Sequence, residues 1–284
     1  MTDFAHTTPL SPRVLVGFDV SEHSAAALER AAEEAVLRDA PLEILCGWPW
    51  ELLPPEEGDH SGTTLHDRSR HLVEHAGDKL RERHPQLRVI PSMTSKAAAE
   101  ALVHGSEGAV LTVVGSRGHG GFVGLLLGSV SLRVAAHTAG PLMVVRGDGR
   151  RDHNRVLLGV DGDTDPAAIE FAFEEAKRHG VELHVVHAFD FSPNPEDVQH
   201  EAAAQTIAQF AVAQTAEKYP DVRYRTETVQ GPPGRELVKA SKEADVIVVG
   251  GHHRKHRLGM QLGPVLHAVL HHSHCPVVLV PVRH

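Results

Sequence analysis

Val110-Leu111-Thr112-Val113-Val114-Gly115-Ser116-Arg117-Gly118 is the stretch that decides the fold. Its apolar half reads as a buried strand, and its second half turns on glycines. Further on, Gly128-Ser129 opens Val130-Ser131-Leu132-Arg133-Val134-Ala135-Ala136-His137, which reads as a helix. The glycines follow the pattern G-x2-G-x9-G-S. Glycine lets a backbone turn sharply and approach a ligand closely. The free N–H groups at a helix start then point at an anion. The same glycines can also serve the turn alone.

Working outward, the chain proves to be a repeat. Arg13-Val14-Leu15-Val16-Gly17-Phe18-Asp19 matches Arg155-Val156-Leu157-Leu158-Gly159-Val160-Asp161. Leu42-Glu43-Ile44-Leu45-Cys46-Gly47-Trp48 matches Leu183-His184-Val185-Val186-His187-Ala188-Phe189. Val113-Val114-Gly115 matches Val248-Val249-Gly250. From Pro85 onward the halves align without a gap, Pro85 with Pro220, Gly128 with Gly263 and Pro141 with Pro276. Two domains are expected, 1–147 and 148–284, with the polar, glycine-bearing residues 147–154 as linker.

Each half alternates strand and helix. In the first half, a strand over residues 14–18 ends at Asp19. Ser24 is expected to cap a helix through Arg38, with Ala25, Leu28, Ala31, Ala32 and Ala35 on one side. Strands follow at 42–47, 87–93, 109–114 and 142–145, and helices at about 65–84 and 97–105. Pro85 stops the earlier of these two helices. The loop 48–63 carries Pro54-Pro55 and several acids. In the second half, Asp165-Pro166 opens the first helix. Strands joined by helices pair in parallel through right-handed crossovers. The expected fold class is α/β: two tandem doubly wound domains, each a five-stranded parallel open sheet with helices on both faces. Such sheets take ligands at the carboxyl ends of strands where strand order reverses. If the first and fourth strands are neighbours, Asp19 and Gly115 lie on the rim of one crevice. Asp19 can equally cap the first helix.

Composition fits a folded protein that can bury a core without staples. The 284 residues are 41% hydrophobic and 23% charged. A net charge of −9 argues against a large nucleic-acid footprint, which needs a basic face. Two cysteines, Cys46 and Cys275, rule out a disulfide framework and fit a reducing cytoplasm. Residues 1–12 show no basic segment followed by an apolar one, so no signal peptide is expected. No apolar run reaches membrane-spanning length, since 122–145 is broken by Arg133, His137 and Gly140-Pro141. The 23 histidines make surface charge sensitive to mild acid.

At the glycine pattern and at Val16-Gly17-Phe18-Asp19-Val20-Ser21-Glu22-His23-Ser24 the sequence resembles the universal stress protein family, in two tandem copies over nearly the whole chain. The glycine pattern resembles that family's ATP-binding motif. The resemblance implies an adenine nucleotide alpha-hydrolase-like fold and an ATP site in the first domain, with Mg accompanying the nucleotide. Asp19, after Gly17, stands where the family has an Asp that contacts the nucleoside. Gly47 stands where a main-chain group reads adenine. Val114, Gly115, Arg117 and Gly118 stand in the phosphate loop. Gly128, Ser129, Val130 and Ser131 stand at the helix N-terminus that holds ribose and phosphate. The residue chemistry agrees: an acid for hydroxyls or amines, amides and a small hydroxyl for phosphate, and Arg117 as a charge partner.

The second half departs from the pattern. Asp161, Ala188, Gly250 and Gly263 match site positions, but His253 replaces the second glycine and Pro264 the serine. Proline removes an N–H, though it suits a helix start. The cations Arg254, Lys255 and Arg257 are added locally, beside His256. The second site is expected to bind ATP weakly or not at all.

Other motifs fail. There is no G-x4-G-K-[ST], and Val123 breaks a dinucleotide fingerprint after Gly118-His119-Gly120. Asp161, Asp163 and Asp165 begin like a calcium loop, but Pro166 and Ala172 replace its glycine and glutamate. His267 and His271, with His274 and Cys275, are a zinc or copper candidate set against a solvated histidine face, as are His252, His253 and His256. No nucleophile–base pair is legible.

The favoured reading is a nucleotide-dependent regulatory protein of the stress response, with ATP as a conformational ligand and loop 48–63 closing over the base. The alternatives are a slow ATPase or nucleotidyl-transfer enzyme, or a nucleotide-independent scaffold. Residues 142–145 and 277–280 are apolar and last in each sheet. The resemblance implies that such edges pair between domains, making the halves a pseudo-dimer, and that chains assemble further into a homo-oligomer through them. Neither nucleic acid nor membrane is expected as a partner.

Overall fold

The computed structural model describes residues 12–47, 65–118, 126–146, 153–162, 164, 166–190, 197–251 and 262–281. Loop 48–63, linker residues 147–152, Asp163, Asp165 and the stretch 252–261 lie outside the described residues.

The first half runs β1 (Arg13–Gly17), α1 (Glu22–Leu37), β2 (Leu42–Gly47), α2 (Leu65–Arg83), β3 (Val89–Thr94), α3 (Ala98–Gly105), β4 (Ala109–Gly115), α4 (Ser129–His137) and β5 (Leu142–Val145). The second half repeats it as β6 (Arg155–Val160), α5 (Pro166–His179), β7 (Glu182–Phe189), α6 (Asp197–Lys218), β8 (Tyr224–Gln230), α7 (Pro233–Ala240), β9 (Val246–Gly251), α8 (Pro264–His272) and β10 (Val277–Pro281). Helix α2 ends before His84, whose own successor is Pro85 and which therefore avoids the α region.

All ten strands form one sheet, ordered β3-β2-β1-β4-β5-β10-β9-β6-β7-β8. Within each half the pairing is parallel. Strand order reverses between β1 and β4, and again between β6 and β9. The halves meet where β5 and β10 pair antiparallel, Met143 opposite Val278. The pseudo-dimer is therefore covalent and edge to edge. Assembly of further chains through these terminal strands needs correction. Both are already hydrogen-bonded on each side, and the sheet's edges are β3 and β8.

Strand alternation divides the core into two slabs. Val14 and Val16 face one and Leu15 the other. The first slab lies under α1, α2, α5 and α6, and runs through both halves. The second lies under α3, α4, α7 and α8. No helix among the described residues is long and apolar enough to cross a membrane.

Two details of α1 differ from expectation. Its N-cap is Ser21, whose Oγ accepts from the Ser24 N–H at 3.2 Å, not Ser24. The two serines are three residues apart, and the earlier one has the extended backbone a cap requires, with ψ 159°. Ala27 rather than Ala25 completes the buried stripe with Leu28, Ala31, Ala32 and Ala35, one turn before Ala31, while Ala25 is exposed.

Candidate functional site

β1 and β4 are neighbours, so their carboxyl ends open side by side at the point where strand order reverses. Asp19 follows β1, and its Oδ1 accepts from the Ser21 N–H at 3.1 Å and from the Ser21 hydroxyl at 2.5 Å. The Ser24 hydroxyl donates to the Ser21 carbonyl at 2.9 Å and accepts from the Asp19 N–H at 3.3 Å. This relay fixes the turn and sets Asp19 Oδ2 against Gly118, where a methyl group would overlap it. Val20 in the same turn has φ 69°, a left-handed conformation that costs a β-branched residue about 1–3 kcal/mol. Its counterpart in the second half is Gly162.

The glycines divide by what approaches them. A methyl on Gly17 would lie 2.9 Å from Leu102 Cδ1. Gly159 has the same relation to Leu237, also at 2.9 Å. Packing of the helix on that face thus accounts for both. Gly47 admits the start of α3, with Ala98 Cα at 2.8 Å from the would-be methyl. Gly115 admits the first turn of α1, with the His23 carbonyl oxygen at 2.6 Å. Among the described residues, Gly118 is crowded by Asp19 alone, and Gly128 would make only ordinary contacts, the nearest being Arg117 Cα at 3.4 Å.

The loop after β4 is closed at its base. Ser116 N–H donates to Val145 O at 3.0 Å, and Gly128 N–H to Ser116 O at 2.7 Å. Gly128 is the N-cap residue of α4 and, as a glycine, brings no side-chain cap of its own. Its first-turn N–H groups are the ones that lack intrahelical partners. Ser129 and Val130 are exposed there. Ser131 is buried, and its hydroxyl donates to the Gly115 carbonyl at 2.7 Å. Its side chain is therefore a latch for the loop, leaving only its backbone N–H to face a ligand. Val114 is likewise buried and offers no side chain. Arg117 is exposed. Burial pulls the Arg146 guanidinium below its ordinary pKa, the Arg117 charge adds to this, and only Cys275 opposes it. Replacing Ser131 with alanine costs about 1–3 kcal/mol, because the Gly115 carbonyl loses its donor. Urea unfolding of the variant beside the parent measures it.

In the second half Asp161 is exposed, and its Oδ1 accepts from the Thr164 hydroxyl at 2.9 Å. Ala188 is buried at the end of β7. Gly250 lies in β9, and Gly263 is the N-cap residue of α8 with Pro264 as the first helical residue. Proline at that position fits, since its missing N–H has no intrahelical partner to lose. His252, His253, Arg254, Lys255, His256 and Arg257 lie outside the described residues.

The metal candidates come out differently from the sequence reading. His267 and His271 stack with ring centroids 4.1 Å apart. Burial, which a hydrogen bond from Ser273 only partly opposes, leaves the Cys275 thiol pushed up to about 12, so in the metal-free chain it is a neutral thiol at neutral pH. Among the described residues, the His, Cys, Asp and Glu side chains that converge three at a time are Glu34, Glu175 and His179. Sequence reading missed this group. Its signal was that Glu34 and Glu175 fall at the same place in the two repeats, each four residues before a basic side chain, Arg38 or His179.

The family model described as the universal stress protein family matches residues 11–146 and 153–281. A universal stress protein of Mycolicibacterium smegmatis is 33% identical over 293 residues, covering 95% of this chain and 97% of that protein. A universal stress protein of Mycobacterium tuberculosis strain H37Rv is 33% identical over 292 residues, covering 94% of this chain and 96% of the relative. The crystal structure of a universal stress protein from Archaeoglobus fulgidus superposes with a TM-score of 0.71 at 20% identity, covering 94% of this chain and 98% of that one.

Proposed function

The chain belongs to the universal stress protein family, and on that premise we propose that it is a nucleotide-dependent regulatory protein whose first domain binds ATP between the β1–α1 turn and the β4–α4 loop. The observation that carries this reading is the meeting of Asp19 Oδ2 with Gly118 beside the glycine N-cap of α4. A side chain at position 118 would fill that cradle. The space gives phosphate oxygens access to the backbone N–H groups of Ser129, Val130 and Ser131. Asp19 supplies a fixed acceptor for ribose hydroxyls, and Gly47 brings the end of β2 to the same rim. Mg would travel with the nucleotide, held chiefly by its phosphates and by water. In this reading residues 1–147 form the binding domain and 148–284 a partner domain with a weaker site, where Pro264 removes one N–H. ATP then acts by favouring whichever conformation holds it better.

Equilibrium titration of purified protein with Mg-ATP, AMP and cyclic AMP tests this. One dominant ATP site per chain is expected. Gly118→Glu should weaken it at least tenfold, more than about 1.4 kcal/mol, because a carboxylate takes the phosphate position. Two equivalent sites would refute the division of labour between the halves. A folded Gly118→Glu chain with parental affinity would refute the site.

A further inference from the structure

We propose that Arg30, Glu34, Arg38, Glu175 and His179 form a proton-operated latch between the two halves, with His179 as the group that takes up the proton. α1 and α5 lie on the same face of the sheet, on either side of the β5–β10 junction. They bring equivalent positions of the repeat together. Glu34 and Glu175 are both fully buried. Arg38 bonds Glu34 on its own helix, and its Nη2 reaches Glu175 Oε2 on the other at 2.5 Å. His179 mirrors it. Its Nε2 lies 3.1 Å from Glu175 Oε1 on its own helix and 3.4 Å from Glu34 Oε1 across the junction. One helix therefore supplies a permanent cation, and the other supplies a titratable one at the matching place. Each stands at the C-terminal end of its helix, where the backbone dipole favours positive charge.

The surrounding charges are fixed. Arg30 Nε lies 2.9 Å from Glu34 Oε1, and Arg178 Nη1 lies 3.8 Å from Glu175 Oε2. Asp245, from the segment entering β9, is held by the backbone N–H groups of His153 and Arg155, each at 3.0 Å. Cys275 stays a neutral thiol, with its pKa pushed up to about 12. Between two carboxylates, Nε2 must carry a hydrogen. Burial pulls His179 down, but the hydrogen bonds and charges of Glu175 and Glu34 outweigh it, and its pKa is raised above the ordinary 6.5. A cavity lined by Arg30, Asn154, Val156, His179 and Asp245 opens at the junction and gives water a route to the ring. A divalent cation is a poor rival occupant. The three ligand atoms lie within 4.8 Å of one another, but guanidinium groups already hold both carboxylates.

The sign follows from linkage. A histidine whose folded pKa exceeds its unfolded value contributes stability that is complete below about 6.5. That contribution is lost as pH rises through the folded value. Each unit of difference corresponds to a tenfold change in the unfolding constant. The latch is thus tight in mild acid and slackens as pH rises through the folded His179 pKa.

Two measurements on the full chain test it. The first is an NMR titration of the assigned His179 ring in the unmodified protein, where an apparent pKa above 6.5 is expected. A value at or below 6.5 overturns the proposal. The second compares unfolding between pH 6 and pH 9 for the parent, His179→Gln and His179→Arg. The parent's advantage over His179→Gln should shrink as pH rises. His179→Arg, which copies Arg38, should lack that pH-dependent component. Parallel pH profiles for all three overturn the proposal. So do amide protection factors at Leu142, Val144, Val277 and Leu279, whose backbones face each other across the junction, that are the same at pH 6 and pH 9, because the latch would then not act there.

Discussion

Glu34→Ala lowers the stability of the chain by about 3–5 kcal/mol, the cost of breaking a buried ion pair by removing one partner. Glu34 is 0% exposed and touches Arg30, Arg38 and His179. Its loss leaves Arg30 and Arg38 in a buried space without the carboxylate that both touch. Burial alone pushes the Glu34 carboxyl up. The His179 hydrogen bond and the Arg38 and Arg30 charges outweigh this and hold it well below the usual carboxylate range. A depressed carboxylate contributes stability above its unfolded pKa and loses it as pH falls through the folded one. The parent should therefore lose this contribution only in strong acid, and Glu34→Ala should lack that acid-side loss. Glu29→Ala, on the same helix, is the control. Its partner Arg83 is about half exposed, and an exposed pair is worth about 0–1 kcal/mol. Chemical denaturation of the two variants side by side measures the contrast.

Gly115→Ala destabilises the chain by about 3 kcal/mol, at the upper end of what overpacking costs. The added methyl would sit 2.6 Å from the His23 carbonyl oxygen and 2.7 Å from its carbon, and backbone cannot rotate aside as a side chain does. Either the first turn of α1 or the end of β4 must move. Both carry the candidate site, so ATP affinity should fall along with stability. Gly250→Ala makes the same change at the matching place in the second half. There the nearest atom among the described residues is Ala168 Cβ at 3.6 Å, and φ lies outside the left-handed region. That variant should fall within about 1 kcal/mol of the parent, on the stabilising side if the loss of unfolded-state freedom prevails. Thermal unfolding of both variants decides it. Equal losses would show that the close approach at His23 is not what requires glycine at 115.

The architecture was legible because two independent signals agreed. The apolar runs have strand length, and the whole pattern occurs twice. Doubling turns a weak local reading into a strong one, since the same element must be right in both places. The site was legible in position but less so in role. Gly17, Gly47 and Gly115 read as ligand glycines, yet each is crowded by protein. A sequence shows that Cβ is missing without showing what stands in its place. Ser131 read as a ligand hydroxyl and proves to be bonded to Gly115. The ion cluster was hidden for a different reason. Glu34 with Arg38, and Glu175 with His179, look like ordinary solvent-facing pairs one helical turn apart. They become interior only when β5 and β10 bring α1 and α5 side by side.

The antiparallel pairing of β5 with β10 has a further consequence for how the two halves can differ. Carboxyl ends of strands point one way in the first half and the opposite way in the second. The two crevices therefore open on opposite rims of a single sheet. The second half is free to exchange a serine for Pro264 without disturbing the first crevice, as long as the strands and the junction helices still pack. Such a layout lets one copy specialise while its twin serves as a fixed wall for it.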